Sequence, residues 1–193
     1  HGATGLIPPH RINYRANVQL LADTGIDRII ALNTVGAIAR TMAPGSLVLP
    51  DQLIDYTWGR QHSFYDGPDQ PSQYIDFTKP YDDLLRASLV DSAARAGLDL
   101  IAGGTYGATQ GPRLETAAEI DRMERDGCDL VGMTGMPEAA LAREAGLAYV
   151  SLAVSVNWAA GRSDESIHAG IEQFQRQGIA NAAELLKEDF AEI

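Results

Sequence analysis

The apolar residues recur at intervals that alternate between about two and about 3.6 positions, the pattern of strands interleaved with helices. Strands are predicted over 28–32, 46–54, 98–103, 129–133 and 148–156, and helices over 9–25, 81–96, 117–125, 138–145 and 167–188. The first helix would carry Ala16, Leu20 and Leu21 on one face and end at Gly25. This alternation favours an α/β protein built around a largely parallel sheet.

The stretch 56–80 has little periodicity and is rich in Gly, Pro, Asp, Ser and aromatic residues, so it is predicted to be a long loop. Loops of this length inside a compact domain are usually functional or lie at an interface. A chain of 193 residues with 45% hydrophobic content suits a single globular domain, 1–193.

Composition excludes several kinds of partner. The formal net charge of −11 opposes non-specific binding to nucleic acid, which depends on basic residues displacing counterions from phosphates. No window reaches the roughly 18 to 20 apolar residues of a membrane helix, and no secretory signal pattern opens the chain. The lone Cys128 lies in an apolar run and is predicted to be a buried thiol in a reducing compartment, so we expect a soluble, cytoplasmic protein.

Three common kinds of site do not fit the sequence. Cys128 and the four histidines share no metal-ligand spacing, so no metal site is expected. The glycine-rich run 103–107 follows a predicted strand but lacks the glycine order and the helix start that a dinucleotide needs. The segment 132–135 has threonine where a hydrolase's nucleophile elbow has serine, and no acid and histidine follow in the expected order.

Polar residues stand just after three predicted strands, where open α/β sheets place their ligands. Asn33 and Thr34 follow the first strand, Thr134 follows 129–133, and Asn157 follows 148–156. Taken singly, each is more simply a turn or a cap, and Thr134 fits a helix cap before Pro137 as well as a ligand contact. Taken together, they predict a ligand site at the strand ends.

Ordered sequence blocks carry a resemblance to a known family. The blocks are Ile12-Asn13-Tyr14-Arg15-Ala16-Asn17, Pro50-Asp51-Gln52, Gly111-Pro112-Arg113, Gly132-Met133-Thr134, Pro137-Glu138-Ala139 and Ala142-Arg143-Glu144-Ala145-Gly146. In this order they resemble the methylthioadenosine phosphorylases of the purine nucleoside phosphorylase superfamily, to about Trp158 and more loosely through the last helix. The resemblance implies a purine nucleoside phosphorylase-like fold, with a mixed central sheet flanked by helices, and a homotrimer.

The resemblance also implies an enzyme that cleaves the N-glycosidic bond of a purine nucleoside with inorganic phosphate and uses no metal or organic cofactor. An oxocarbenium-like transition state needs an anion under the anomeric carbon, a fixed ribose and hydrogen bonds to the departing purine. By resemblance, phosphate is bound by His1, Asn33, Thr34 and Thr134, and Met133 packs against the ribose. A methionine that ends a buried strand is, on its own, more often part of the core.

The predicted purine pocket departs from the family pattern. Methylthioadenosine phosphorylases carry aspartates at the positions that match Asn157 and Ala159. An aspartic acid can protonate N7 and accept from the 6-amino group of adenine, whereas asparagine offers an N–H to a 6-oxo group or N7 and an oxygen to an N7–H. Glu115, next to Leu114 in this pocket, matches the glutamate that accepts N1–H in 6-oxopurine phosphorylases, although alone it fits a first-turn helix acid. Asn157 and Glu115 are therefore the predicted catalytic residues.

The 5′ end of the nucleoside is less well defined by the sequence. Tyr74 matches a position that, in the family, reaches into the neighbouring subunit's site. Ile167, Ala169 and Ile171 match the wall around the 5′-substituent, whereas His168 would suit a 5′-hydroxyl, as in inosine-cleaving relatives. The blocks as a whole favour a methylthio group.

The expected reaction is phosphorolysis of S-methyl-5′-thioinosine to hypoxanthine and 5-methylthioribose 1-phosphate. An inosine/guanosine phosphorylase, a methylthioadenosine phosphorylase and a catalytically silent nucleoside-binding protein are the alternatives. The opening pair His1-Gly2 follows an arginine in the family, after strands and a phosphate loop, so the domain 1–193 is expected to lack those parts.

Overall fold

The computed structural model of the protein describes residues 5–68, 71, 73–164, 166–168 and 170–191. Within them the strands are β1 (Arg28–Ala37), β2 (Leu47–Leu49), β3 (Gln52–Asp55), β4 (Leu100–Ala102), β5 (Thr105–Ala108), β6 (Leu130–Gly132) and β7 (Ala148–Trp158). The helices are α1 (Tyr14–Asp23), α2 (Asp83–Ala96), α3 (Ala117–Arg125), α4 (Glu138–Glu144) and α5 (Ile171–Phe190), with short 3-10 turns at Pro9–Arg11 and Arg40–Met42.

The strands of the described residues form one sheet in the order β3-β5-β6-β1-β7-β2-β4. The neighbours β1 and β6, and likewise β2 and β7, run antiparallel, whereas the other neighbouring pairs are parallel. The sheet is therefore mixed, as the family resemblance implies, and the predicted α/β class is confirmed.

Strand β7 lies in the middle of the core, and its residues 149–156 are all buried. The Tyr149 hydroxyl donates to Glu138 at the start of α4 (2.9 Å), whereas Val154 packs against Gly178 of α5. Because successive side chains of a strand point to opposite faces, α4 and α5 cover opposite faces of the sheet. Burial on both faces explains why β7 is apolar along most of its length.

One strand prediction is wrong, and one strand is missed. The predicted strand 46–54 is two strands, because Pro50 has no N–H to donate to a ladder and the chain turns there. Strand β2 then pairs with β4 and β7, whereas β3 pairs with β5. Strand β5 has no sequence signal, since its glycine-rich surroundings show no alternation, yet Tyr106 and Ala108 are fully buried.

The first helix is shorter than predicted. Asn13 caps α1 with its side chain, so the helix begins at Tyr14. Its buried residues are Tyr14 and Val18, whereas Leu20 and Leu21 are exposed, so the predicted apolar face is wrong.

The stretch between β3 and α2 forms neither helix nor strand over its described residues, as predicted. The prediction of a buried thiol at Cys128 is also confirmed, since this residue is 3% exposed. No helix in the described part of the chain is long and apolar enough to span a membrane.

Candidate active site

A cavity of about 650 Å³ lies along β1, beside the ends of β6 and β7 and the start of α5. This volume is typical of small-molecule sites. The predicted site residues in its lining are Asn33, Thr34, Leu114, Glu115, Met133, Thr134, Asn157, Ala159, Ile167 and Ile171. Residues far apart in the sequence therefore meet in one place.

Among the residues that the structure describes, two predicted site residues are not part of this lining. His168 is exposed and lines an adjoining hollow with Gly45 and Phe174, which shares Ile171 with the cavity. Tyr74 lies in the loop before α2 with 96% of its surface exposed. His1 and Ala169 lie outside the described residues. The structure thus brings two isoleucines of the predicted 5′ wall to the cavity, and it places the histidine elsewhere.

At two of the three strand ends, the polar residues expected after the strand lie inside it instead. Asn33 and Thr34 are residues of β1, where they pair with Ala153 and Val154 of β7, and Asn157 is a residue of β7. The strands continue because the ladder is made by backbone groups, which every polar residue also carries. The predicted position after a strand is therefore wrong for Asn33, Thr34 and Asn157, although these side chains do reach the cavity.

A bulge sets the direction of Asn157. Strand β7 carries one extra residue, Val156, between the partners of Val35 and Gly36, and bulges re-aim the side chains next to them. A Cβ atom at Gly36 would lie 3.3 Å from Val131 Cγ1 and 3.4 Å from Asn157 Nδ2. The missing side chain of Gly36 therefore leaves room for the asparagine.

The amide of Asn157 is anchored next to the cavity. Its Nδ2 donates to the Trp158 carbonyl oxygen at 2.8 Å, which leaves the second Nδ2 hydrogen and Oδ1 for a ligand. Ala159 lies on the same wall and is 4% exposed. This wall therefore offers a ligand one fixed donor and one fixed acceptor.

The carboxylate of Glu115 is oriented by a residue that the sequence does not single out. Thr109, just after β5, donates from its hydroxyl to Glu115 Oε1 at 2.6 Å. Helix α3 begins after Glu115, with Thr116 as its cap and Glu119 completing a capping box. The helix-start role thus belongs to Glu119, and the alternative interpretation of Glu115 as a first-turn acid is wrong.

Thr134 follows the end of β6, which points back along β1 because the two strands are antiparallel. Helix α4 begins at Glu138 with Pro137 at its N-cap position and no side-chain cap. Thr134 is therefore not a helix cap. Its placement in the cavity wall near Asn33 and Thr34 is what a shared anion site would require.

Asn33 has an unsatisfied polar atom. Its Nδ2 donates to Ser151 Oγ at 2.9 Å, whereas its buried Oδ1 has no hydrogen-bond partner among the described residues. Buried polar atoms in native proteins are nearly always paired, so this oxygen suits a donor that a ligand supplies. A ribose hydroxyl and a protonated phosphate oxygen are donors of this kind.

Met133 fits closely against the segment that leads to Glu115. A Cβ atom on Gly111, whose φ is +59°, would lie 2.5 Å from Met133 Sδ. A side chain at this glycine would therefore displace the methionine from the cavity wall.

Tyr14 and Glu138 also line the cavity, although the sequence analysis does not select them as site residues. Burial raises the pKa of Glu138, against a smaller lowering by the hydrogen bond from Tyr149. Burial likewise raises the pKa of Tyr14 to about 12, although neighbouring Arg60 lowers it. Both belong to the sequence blocks that carry the family resemblance, and this is the signal by which they could have been found.

The wall contributed by α5 and the segment before it is mostly apolar. Its members are Ile167, Ile171, Gln175 and Ile179. One amide among three branched aliphatic side chains favours an uncharged, largely apolar group in this part of the cavity.

Comparison with known proteins shows which family the chain is similar to. The family model described as the Phosphorylase superfamily matches residues 1–190. The probable S-methyl-5′-thioinosine phosphorylase of Xanthomonas campestris pv. campestris is 57% identical over 164 residues, or 85% of this chain, and the chain spans 66% of that relative's length. The 6-oxopurine nucleoside phosphorylase of Pyrococcus furiosus is 42% identical over 192 residues, covering 96% of this chain and 72% of its own length.

A solved structure shows the same fold. The methylthioadenosine phosphorylase from Schistosoma mansoni in complex with adenine matches with a TM-score of 0.90 and 31% identity, covering 99% of this chain and 74% of that one.

Proposed function

The chain belongs to the phosphorylase superfamily, and from that premise we propose that the protein catalyses phosphorolysis of S-methyl-5′-thioinosine to hypoxanthine and 5-methylthioribose 1-phosphate. A phosphate oxygen forms the new bond to ribose C1′, and the electron pair of the broken C1′–N9 bond leaves with the purine. Phosphate is thus a co-substrate, and we propose that the reaction uses no metal or organic cofactor.

The observation that carries the proposal is the pairing of Glu115 and Asn157 in one cavity. A 6-oxopurine presents its N1–H to the carboxylate and its O6 and N7 to the amide. Adenine instead presents an unprotonated N1 to the carboxylate, which leaves two acceptors facing each other and both unpaired. The two sequence relatives are named as phosphorylases of S-methyl-5′-thioinosine and of 6-oxopurine nucleosides, which supports the same preference.

The chemistry of the cavity fits the electronic demand of the reaction. Negative charge develops on the purine as the glycosidic bond breaks, so an amide hydrogen from Asn157 to O6 or N7 strengthens in the transition state. We propose that Asn33, Thr34 and Thr134 hold the phosphate. The hydroxyls of Thr34 and Thr134 can donate to its oxygens, and the unpartnered Oδ1 of Asn33 can accept from a protonated one. Met133 then packs against the ribose.

The apolar wall supports a methylthio group over a hydroxyl at the 5′ position. Ile167 and Ile171 face the cavity, whereas His168, the expected partner of a 5′-hydroxyl, lines another hollow. Removing apolar surface from water stabilises a complex by about 25 cal/mol per Å². A methylthio group is therefore stabilised by contact with this wall, whereas a hydroxyl would lose its hydrogen bonds to water there.

A substrate panel tests the proposal. Inosine, adenosine and their 5′-methylthio analogues are incubated with and without phosphate, and free base is measured. We expect methylthioinosine to have the highest kcat/KM and to release hypoxanthine in a phosphate-dependent way. Preference for an adenine nucleoside, or base release that ignores phosphate, contradicts the proposal. Binding without turnover would identify a nucleoside-binding protein instead.

We also propose a homotrimer with sites shared between neighbours, located in the cytoplasm. The 96% exposed Tyr74 supports the assembly, because a large aromatic side chain on a long loop is free to contact another chain. The unbridged, buried Cys128 supports a reducing compartment. Light scattering should give three times the chain mass, and a fully active monomer would contradict a shared site.

A further inference from the structure

Arg60, in the loop between β3 and α2, is a buried arginine that the sequence pattern does not select. Its Nη1 donates to the carbonyl oxygens of Met133 (2.8 Å) and Met136 (2.5 Å). Its Nη2 donates to the carbonyl oxygens of Thr109 (3.1 Å) and Gln110 (2.9 Å), and its Nε donates to Gln110 Oε1 (3.1 Å). The five N–H donors of the guanidinium group are therefore all used.

The two sets of acceptors belong to the two walls of the cavity. The first pair of carbonyls lies on either side of Thr134, which lines the cavity. The second pair belongs to the segment in which the Thr109 hydroxyl holds Glu115. Arg60 itself is absent from the cavity lining, so it joins these segments from behind.

The surroundings make this junction stiff. The guanidinium carbon lies 5.5 Å from the centre of the Tyr14 ring, and burial lowers the pKa of Arg60 from its usual value. A buried charge is stable only while its hydrogen bonds are made, so movement of either wall would leave part of the guanidinium unsatisfied. A lysine ammonium has three donors and no planar fork, so it cannot replace this set of bonds.

We propose that Arg60 is a positioning residue for phosphorolysis: it holds the wall with Thr134 and the wall with Glu115 at a fixed separation. The inference rests on the proposed function. Phosphate, anomeric carbon and purine must be aligned at the same time, and a misplacement of about 1 Å can cost about 100-fold in rate. Loss of Arg60 should therefore affect the phosphate end and the base end together, whereas loss of Glu115 should affect the base end alone.

The test compares Arg60→Lys with Arg86→Lys. Arg86 is a matched control, because this half-buried arginine also donates to two backbone carbonyls, those of Pro50 (3.1 Å) and Leu49 (3.3 Å), which do not line the cavity. Arg60→Lys should lower kcat/KM for methylthioinosine about 100-fold, raise the KM for phosphate and narrow the preference over methylthioadenosine. Arg86→Lys should leave kcat/KM, the KM for phosphate and the base preference close to wild type, even if its thermal midpoint falls as far as that of Arg60→Lys.

Two further variants separate positioning from folding. Arg60→Ala should regain activity when millimolar guanidinium ion is added, whereas Arg86→Ala should not respond. Gln110→Ala removes one acceptor of the set and keeps the buried charge, so it should give a smaller loss of the same kind if Arg60→Lys does not fold. Three results would overturn the inference. The first is wild-type kinetics in folded Arg60→Lys, and the second is an equal loss of kcat/KM in Arg86→Lys. The third is an unchanged phosphate KM and base preference in Gln110→Ala.

Calorimetry with hypoxanthine alone and with phosphate alone keeps the inference apart from the proposed function. If the wild type binds these ligands but releases no base from any nucleoside, the proposed function is wrong. The role of Arg60 is then tested by comparing the affinities of wild type and Arg60→Lys for the two ligands. Weaker binding of both ligands to Arg60→Lys supports positioning, and equal binding overturns it. A wild type that binds neither ligand overturns both proposals.

Discussion

The base side and the 5′ side of the cavity are built in different ways. On the base side, polar groups are fixed by other protein groups: Thr109 holds the carboxylate of Glu115, and the Trp158 carbonyl holds the amide of Asn157. On the 5′ side, Ile167 and Ile171 offer an apolar surface next to the start of α5. The base side therefore binds through directional hydrogen bonds, and the 5′ side binds through non-directional apolar contact.

The difference predicts how strongly each side discriminates. A site that hydrogen-bonds its substrate rejects a mispaired analogue by roughly four to five powers of ten, because both partners are left unsatisfied. An apolar pocket gains only about 10- to 200-fold from one extra methylene group. Substitutions on the base side should therefore change specificity more than substitutions on the 5′ side.

The largest effect is expected for Asn157→Asp. The new carboxylic acid can protonate N7 and accept from a 6-amino group, so adenine-nucleoside cleavage should rise while 6-oxopurine cleavage falls. We expect the kcat/KM ratio of methylthioinosine to methylthioadenosine to fall by about 100-fold, a partial change because Glu115 remains and Ala159 adds no second acid.

A remote substitution controls for the added charge. Asn181→Asp introduces the same group on α5, outside the cavity lining, and should leave the ratio as it is. A wild type that already prefers methylthioadenosine, or a ratio that ignores Asn157→Asp, would show that this residue does not read the base.

The second effect concerns Glu115. Glu115→Ala should lower kcat/KM for methylthioinosine by the equivalent of about 1 to 3 kcal/mol, the usual cost of an unsatisfied buried partner. Glu119→Ala is the matched control, because the hydrogen bond from Arg113 lowers the pKa of Glu119 to about 2 and this residue serves the capping box of α3. It should lower the thermal midpoint and leave kcat/KM near wild type. An equal kcat/KM in both variants would mean that Glu115 has only a structural role.

The contrast between Glu115 and Glu119 also shows what the sequence can predict. The predicted helix 117–125 matches the structure, in which Thr116 and Glu119 form a capping box at its start. The sequence does not say which glutamate belongs to the cap and which faces a ligand. That distinction depends on Thr109, which follows a strand of four residues in glycine-rich surroundings that show no alternation.

Arg60 could not have been found from local pattern. Its partners Gln110 and Met133 lie 50 and 73 positions away, and its own segment has no period. Asn33 and Asn157 can be identified from their position near the ends of predicted strands and from the resemblance, yet their places inside β1 and β7 follow from backbone pairing and a bulge. Residue chemistry is thus readable from the sequence, whereas the contacts that orient it arise only when distant segments pack.

The smallest effect is expected on the 5′ side, from Ile171→Ala. Removing part of one aliphatic side chain should lower the kcat/KM ratio of methylthioinosine to inosine by about tenfold, since only apolar contact is lost. The paired variant is His168→Ala, because this histidine lines the adjoining hollow and should leave cleavage of both nucleosides unchanged. The opposite result, a selective loss of inosine cleavage in His168→Ala and an unchanged ratio in Ile171→Ala, would mean that a hydrogen bond reads the 5′-hydroxyl. The 5′ side would then discriminate by directed polar contacts like the base side, and an ordinary inosine phosphorylase would be the better description.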